Sequence, residues 1–228
     1  MIASAVLVAA GRGTRMAADA RKGFLELAGR PLFMHAAETF LHIPRVEEII
    51  VVVHSNDVDA ARDATSGLIH NANIVVGGST RRESSLAGVR AARGEIVLIH
   101  DACRPFASPD LINQVLDQTL QHRAAVPVLP SIETLYRVSG DGGDRRIQAV
   151  LDRTTIARAQ TPQGFRRSLI LECLESADPT ITDDASAVAA HGDAVFTVDG
   201  EISNLKITYP EDLRWAEAFA VHFAPRTA

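Results

Sequence analysis

Glycines, arginines and a lysine crowd the first loop of the chain. Ala9-Ala10-Gly11-Arg12-Gly13-Thr14-Arg15-Met16 follows an apolar run, and Lys22 comes six residues later. Backbone N–H groups beside glycine can approach phosphate oxygens closely, and neighbouring cationic side chains supply countercharge. Without that context, glycines after a strand are plain turn formers, and Arg15 and Lys22 are solvated surface charges. Two common phosphate loops are excluded: Gly-x-x-x-x-Gly-Lys-Ser/Thr has no match, and Met16 stands where a dinucleotide fingerprint needs its third glycine. The second apolar run, ending near Val53, also comes too late for the acidic residue that such a fingerprint carries about 20 positions on. His100-Asp101-x-Cys103 has metal-ligand residue types, but no second His/Cys pair at zinc spacing accompanies it.

These residues need a scaffold, and the hydrophobic pattern implies one. Ala5 to Ala9, Ile49 to Val53, Ile74 to Val76, Ile96 to Ile99 and Ala124 to Val128 are short, continuously apolar runs, as strands buried on both faces require. Leu32, Phe33, Ala36, Ala37, Phe40 and Leu41 recur at helical spacing after Pro31, which suits a first helical turn. Leu111, Ile112, Val115, Leu116 and Leu120 do the same after Pro109. The alternation predicts an α/β fold, a doubly wound, mostly parallel sheet with helices on both faces and ligands at the carboxyl ends of its strands. After Pro130 the pattern breaks. Thr134 to Val138 and Arg146 to Leu151 flank a glycine-rich turn, which reads as a protruding β-arm at about residues 131–152. A two-stranded ribbon is marginal in water, so a homodimer through the arm is expected. A strand at Ala194 to Val198 and a closing helix after Pro210 complete a single domain over residues 1–228.

Composition narrows the partners. Hydrophobic residues make up 46% and charged residues 22% of 228, as in a folded globular chain. A net charge of -5 argues against an extended nucleic-acid or anionic-membrane surface, so a basic site must be local. No apolar run approaches the roughly 20 residues of a membrane span. Cys103 and Cys173 form no CxxC pair and are expected to be free thiols, which with the absence of a recognisable targeting segment points to the cytoplasm.

The first loop, Ala9-Ala10-Gly11-x-Gly13-x-Arg15-Met16 with Lys22, resembles that of nucleotidyltransferases acting on sugar and polyol phosphates. Further motifs follow in order: Gly77-Gly78 with Arg81 and Ser84, His100-Asp101-Ala102-Cys103-Arg104-Pro105, Asp152-Arg153, Thr161-Pro162-Gln163-Gly164-Phe165, Ile181 to Ser186, and Asn204 to Thr208 before Pro210-Glu211-Asp212-Leu213. Together they resemble the 2-C-methyl-D-erythritol 4-phosphate cytidylyltransferase family of non-mevalonate isoprenoid biosynthesis, over nearly the whole chain. Ribitol 5-phosphate cytidylyltransferase is the alternative, and a non-catalytic nucleotide-binding module the more distant one.

The resemblance implies that a polyol phosphate attacks the α-phosphorus of CTP and expels pyrophosphate. Mg2+ would be held mainly by the CTP phosphates, with no side-chain ligands. Arg15 and Lys22 would stabilise the transition state, and Arg153 and Lys206 would position the acceptor phosphate. Ala9, Ala10, Gly11, Gly13, Gly78, Ser84 and Ala102 match nucleotide-binding positions. Asp101, Arg153, Thr161 and Thr182 match the polyol-phosphate positions, with Arg104 and Thr134 reaching in from the partner subunit. The family pattern reads Pro-Lys-Gln at Arg21-Lys22-Gly23 and Asp-Thr-x-Lys at Glu133-Thr134-Leu135-Tyr136. Plainer roles compete for several of these: Asp101 as a cap, Thr182 as the N-cap of a helix starting at Asp183, and Lys206 as an outward-pointing strand lysine.

Overall fold

A computed structural model describes residues 3–11, 22–67, 72–178 and 180–223. In chain order it contains β1 (Ala3–Val8), a small antiparallel pair β2 (Glu26–Leu27) and β3 (Arg30–Pro31), α1 (Leu32–Leu41), β4 (Val46–Val53), α2 (Val58–Thr65), β5 (Asn73–Val76), α3 (Arg81–Ala91), β6 (Ile96–Asp101), α4 (Pro109–His122) and β7 (Ala124–Pro130). Then come β8 (Leu135–Ser139), β9 (Arg146–Leu151), β10 (Ala157–Ala159), β11 (Gln163–Arg166), α5 (Arg167–Ser176), α6 (Asp184–His191), β12 (Phe196–Asp199) and α7 (Pro210–Phe223).

One mixed sheet runs β10-β7-β11-β6-β1-β4-β5, and β12 also pairs with β7. β5, β4, β1 and β6 are parallel neighbours, whereas β11 lies antiparallel between β6 and β7. The continuous apolarity of β1 has a direct cause. Ala5 and Leu7 pack with Phe33, Phe40, Ile112 and Val115 of α1 and α4 on one face. Val6 packs with Val89, Leu169, Ile170 and Val188 of α3, α5 and α6 on the other. A third cluster, Leu27, Leu32, Cys103, Ile207 and Ala216, seats α7 against the small hairpin.

The chain leaves β1 in both directions of sheet growth, toward β4 and toward β6, which is the topological switch point where doubly wound sheets bind ligands. Val8 is in register with Val52 of β4 and with Asp101 of β6, so three strand ends are level there.

β8 and β9 form a separate two-stranded sheet where the arm was expected. Tyr136 stands opposite Val150 and Val138 opposite Ile147, and all four are exposed. Three local expectations shift. Pro31 closes β3 immediately before α1 instead of occupying its first turn. The late strand is Phe196–Asp199, two residues further on at its start than Ala194. Asp183, not Thr182, caps α6, its carboxylate accepting from the Ser186 amide at 3.2 Å.

Candidate active site

A cleft of about 750 Å³ opens at the level ends of β1, β4, β5 and β6, within the size range of small-molecule sites. Val8, Ala9, Ala10 and Gly11 form one wall, Gly77 to Arg81 and Ser84 another, and Asp101, Ala102 and Cys103 the floor, with Lys22 and Lys206 at its margins. The Ala9 amide donates to Val52 O at 2.8 Å and the Ala102 amide to Val8 O at 3.2 Å, so these two fix the wall. Among the described residues, the amides of Ala10, Gly11 and Gly78 have no protein acceptor. Unpaired N–H groups at strand ends are what an anionic ligand can satisfy.

The second wall is shaped by a helix cap. Thr80 and Glu83 form a capping box on α3, and the Glu83 carboxylate also accepts from the Ser79 amide at 2.6 Å and the Ser79 hydroxyl at 2.7 Å. Those bonds, the Ser79 hydroxyl first, hold the Glu83 carboxyl below the usual range. Gly77 must be glycine here, since a Cβ would stand 2.7 Å from the Ser84 hydroxyl and 2.9 Å from Ala10 Cβ. Gly23 has the same constraint, with Ala9 Cβ 2.9 Å away, so glycine in place of the pattern's glutamine brings the turn bearing Lys22 against the first wall.

The floor is a charge cluster. Asp101 Oδ2 accepts from Lys206 Nζ at 2.6 Å, and Oδ1 accepts from Arg81 Nε and Nη2 at 3.2 and 3.1 Å. Arg81 Nη1 reaches Asp184 Oδ2 at 2.5 Å. Burial opposes ionisation of Asp101, but Arg81, Lys206 and Arg104 outweigh it and hold this carboxyl far below the usual range. Beneath it, Thr161 Oγ1 accepts from the Asp101 amide at 3.0 Å and lies 3.0 Å from His100 Nδ1, while His100 Nε2 lies 2.9 Å from Arg104 O. Burial pushes the His100 imidazole down to about 4. Both its nitrogens are thus engaged inside the protein.

The loop after β12 delivers Lys206. Asn204 Nδ2 donates to Thr161 O at 2.8 Å, Arg104 Nη1 donates to Asn204 O at 2.7 Å, and the Ile207 amide donates to Cys103 O at 2.9 Å. This segment is not a strand, and its lysine points to Asp101, so neither the plain reading of Lys206 nor that of Asp101 as a cap describes them.

The expected residues therefore divide. Ala9, Ala10, Gly11, Lys22, Gly78, Ser84, Asp101, Ala102 and Lys206 line one cleft. Ser84 is buried, its hydroxyl donating to Thr80 O at 2.9 Å. Thr161 lies under the floor. Arg104 is buried in its own chain, against the expectation that it extends to a partner; desolvation lowers its pKa, opposed by Asp101. Thr134, Arg153 and Thr182 are exposed and do not line the cleft of a single chain; Arg153 Nη1 donates to Ile132 O at 2.8 Å. Gly13 and Arg15 lie outside the described residues. Arg81, Ser79, Thr80, His54 and Ser55 line the cleft as well, beyond the residues that the sequence motifs single out for binding. Arg81 alone had a signal, its place in the Gly77-Gly78 motif.

Among the described residues, Cys173, His191 and Asp193 form the one group of three whose ligand-type atoms lie within 4.8 Å of one another. His191 Nδ1 lies 2.8 Å from Asp193 Oδ2, which also pairs through Oδ1 with Arg123 at 3.3 Å. Both cysteines are free and buried. No described helix is long and apolar enough to cross a membrane.

The family model described as "IspD: 2-C-methyl-D-erythritol 4-phosphate cytidylyltransferase" matches residues 3–222. A 2-C-methyl-D-erythritol 4-phosphate cytidylyltransferase from Acidobacterium capsulatum is 37% identical over 92% of this chain and 94% of its own length. A bifunctional enzyme IspD/IspF from an Anaeromyxobacter species is 40% identical over 94% of this chain, which spans 56% of that longer protein. The crystal structure of 4-diphosphocytidyl-2C-methyl-D-erythritol synthase from Anaerococcus prevotii superposes with a TM-score of 0.84 at 29% identity, covering 96% of each chain.

Proposed function

The chain belongs to the IspD family of 2-C-methyl-D-erythritol 4-phosphate cytidylyltransferases, and on that footing we propose that it transfers the cytidylyl group of CTP to 2-C-methyl-D-erythritol 4-phosphate. An oxygen of the acceptor phosphate forms a bond to the α-phosphorus, and the bond to the leaving pyrophosphate breaks. The nucleophile is already ionised at neutral pH, so no general base is required. Catalysis then consists of bringing two mutually repelling anions together and stabilising charge on the transferred phosphoryl group.

The observation that carries this reading is the convergence of Lys22, Lys206 and the amides of Ala10, Gly11 and Gly78, which have no acceptor among the described residues, on one cleft at the switch point. The amides suit the nucleotide's phosphates and Lys22 the transferred group, with Arg15 as its expected companion. Lys206, anchored by Asp101, suits the acceptor phosphate. Thr134, Arg153 and Thr182 are the acceptor residues left to complete the site, and Thr161 supports it from below. Exposed Tyr136, Val138, Ile147 and Val150 favour a homodimer through the arm, and the two buried thiols suit the cytoplasm.

Asp101 is the single carboxylate among the described lining residues, and both its oxygens are occupied by cations. The donor set therefore fits Mg2+ carried on the triphosphate with its waters better than an ion caged by side chains. Bound there, the ion neutralises phosphate charge.

Pyrophosphate release from CTP and Mg2+ with methylerythritol phosphate, ribitol 5-phosphate and no acceptor tests the proposal. Turnover confined to methylerythritol phosphate is expected. Turnover with ribitol 5-phosphate alone moves the specificity, and CTP binding without turnover on either acceptor refutes the transfer reaction.

A further inference from the structure

Asp184 lies one residue beyond the cap of α6, is 1% exposed, and touches the cleft only through another residue. A buried carboxylate is costly unless paired, and replacing a buried ion pair by apolar residues is often neutral or stabilising. Stability alone is therefore a weak reason for this one. Its position is fixed independently of Arg81: Gln163 Nε2 donates to Asp183 Oδ1 at 2.8 Å, and Gln163 Oε1 accepts from the Ala185 amide at 3.0 Å. Those two bonds clamp the backbone on either side of Asp184.

From this clamp the charges run in one line. Asp184 Oδ2 holds Arg81 Nη1, Arg81 Nη2 and Nε hold Asp101 Oδ1, and Asp101 Oδ2 holds Lys206 Nζ. A guanidinium presents donors in a rigid fork, and beside a lone carboxylate it takes both oxygens. Here Nη1 is held by Asp184, which sets the tilt of the guanidinium, and Nε and Nη2 both converge on Oδ1 of Asp101, leaving Oδ2 for the lysine. We propose that Asp184 is a positioning residue for the acceptor phosphate, acting through Arg81 and Asp101 to fix Lys206 at the cleft margin. The inference rests on the reaction proposed above. With Asp184 neutral, the guanidinium is free to tilt so that its Nε–Nη2 edge spans both oxygens of Asp101, and it then competes with Lys206 for Oδ2 and loosens its anchor. Apart from Arg81 itself, the cleft walls at the end of β1 and in the Gly77 to Thr80 loop make no contact with Asp184 and are expected to stay as they were.

The test is the steady-state kinetics of Asp184→Asn, Lys206→Gln and the double variant beside the unmodified protein. Asp184→Asn is expected to raise KM for the polyol phosphate about tenfold, within the range that coupled neighbours show, while KM for CTP changes less than about threefold. Added to Lys206→Gln it should change the acceptor KM no further, a dependence that a general loss of stability does not produce. Equal effects on both substrates, no effect on either, or multiplying effects in the double variant overturn the proposal. If Asp184→Asn does not fold, Asp184→Glu, which keeps the charge but shifts the carboxylate that holds Arg81, is read by the same criteria. Absence of turnover in the unmodified protein would instead refute the transfer reaction itself.

Discussion

Replacing Asp101 by asparagine keeps the side chain's volume and one acceptor but removes the negative charge at the centre of three cations. The cost can be apportioned from the geometry. Lys206 is 40% exposed and can turn to water, so its pair, though short, contributes little to stability. Arg81 is 25% exposed and keeps Asp184. Arg104 is 9% exposed and has Asp101, 3.9 Å from its Nε, as its carboxylate, while its other donors reach Asn204 O and Ala159 O. Stranding a buried charge costs about 3–5 kcal/mol, and because the carbonyls of Asn204 and Ala159 still accept from Arg104, the lower end, about 3 kcal/mol, applies. For a chain of this length that is a fall in Tm of about 6–12 °C at pH 7. The sign of the pH dependence follows from the depressed carboxyl. Its contribution is complete above the unfolded-chain value of about 3.9 and is lost as the pH falls below that toward the much lower folded value. The gap between native and variant proteins should therefore narrow by about 1.4 kcal/mol per pH unit below about pH 3.9 and stay constant above it. Thermal melts at pH 7 and denaturant melts between about pH 2.5 and 7, both followed by circular dichroism, measure the two quantities. A Tm within about 2 °C of native at pH 7, or a gap that does not narrow in acid, refutes the assignment of Asp101 as the charge that holds this cluster together.

Lys22→Ala should lower turnover at least 10²–10³-fold, as loss of a preorganised donor does elsewhere, and near-native rates in a quenched pyrophosphate assay would remove its role. Burial holds His100 at about 4 against about 6.5 in an unfolded chain, so its neutral form contributes stability above about pH 6.5 that is lost toward pH 4. His100→Gln should flatten that slope by up to about 1.4 kcal/mol per pH unit, and equal slopes in denaturant melts at pH 7 and 5 would contradict it. Val138→Asp together with Val150→Asp places charge on the exposed arm and should give a monomer on sizing chromatography with lost turnover and unchanged far-UV circular dichroism. A fully active monomer would separate the arm from the reaction.

The sheet was legible because its central strands are buried on both faces, which leaves unbroken apolar runs at Ala5, Ile49 and Ile96. Where burial takes another form, the pattern fails. α3 buries Ser84, Ser85, Gly88 and Val89, small side chains chosen for close approach to Val6 and Val52, so no apolar stripe announces it. β10 and β11 are three and four residues long and carry Arg158, Gln163 and Gly164, too short and too mixed to show a period. At the site, the glycine loops and Lys22 were visible through local spacing. The partners of Arg81 lie 20 and 103 positions away, and the anchor of Lys206 lies 105 away, so no local spacing could show them.

The same separation accounts for the division within the proposed site. Nucleotide-side groups sit on the strand ends and the loops that leave them, where the parallel sheet fixes them to the core. Asp101, Ala102 and Thr161 are nearly inaccessible, and Lys206 is tied to this floor. Thr134 and Arg153 instead lie at the foot of the β8–β9 arm, and Thr182 on the segment before α6; all three are exposed. A reaction between two anions gains from this arrangement. If one rigid wall carried every cation, the first anion to arrive could gather them all and leave the second without a partner. Committing Lys206 to Asp101, and Arg81 to two carboxylates, keeps part of the positive charge out of the nucleotide's reach. In the proposed reaction the second phosphate then has a lysine to meet, held by an anchor that the fold keeps only 7% exposed.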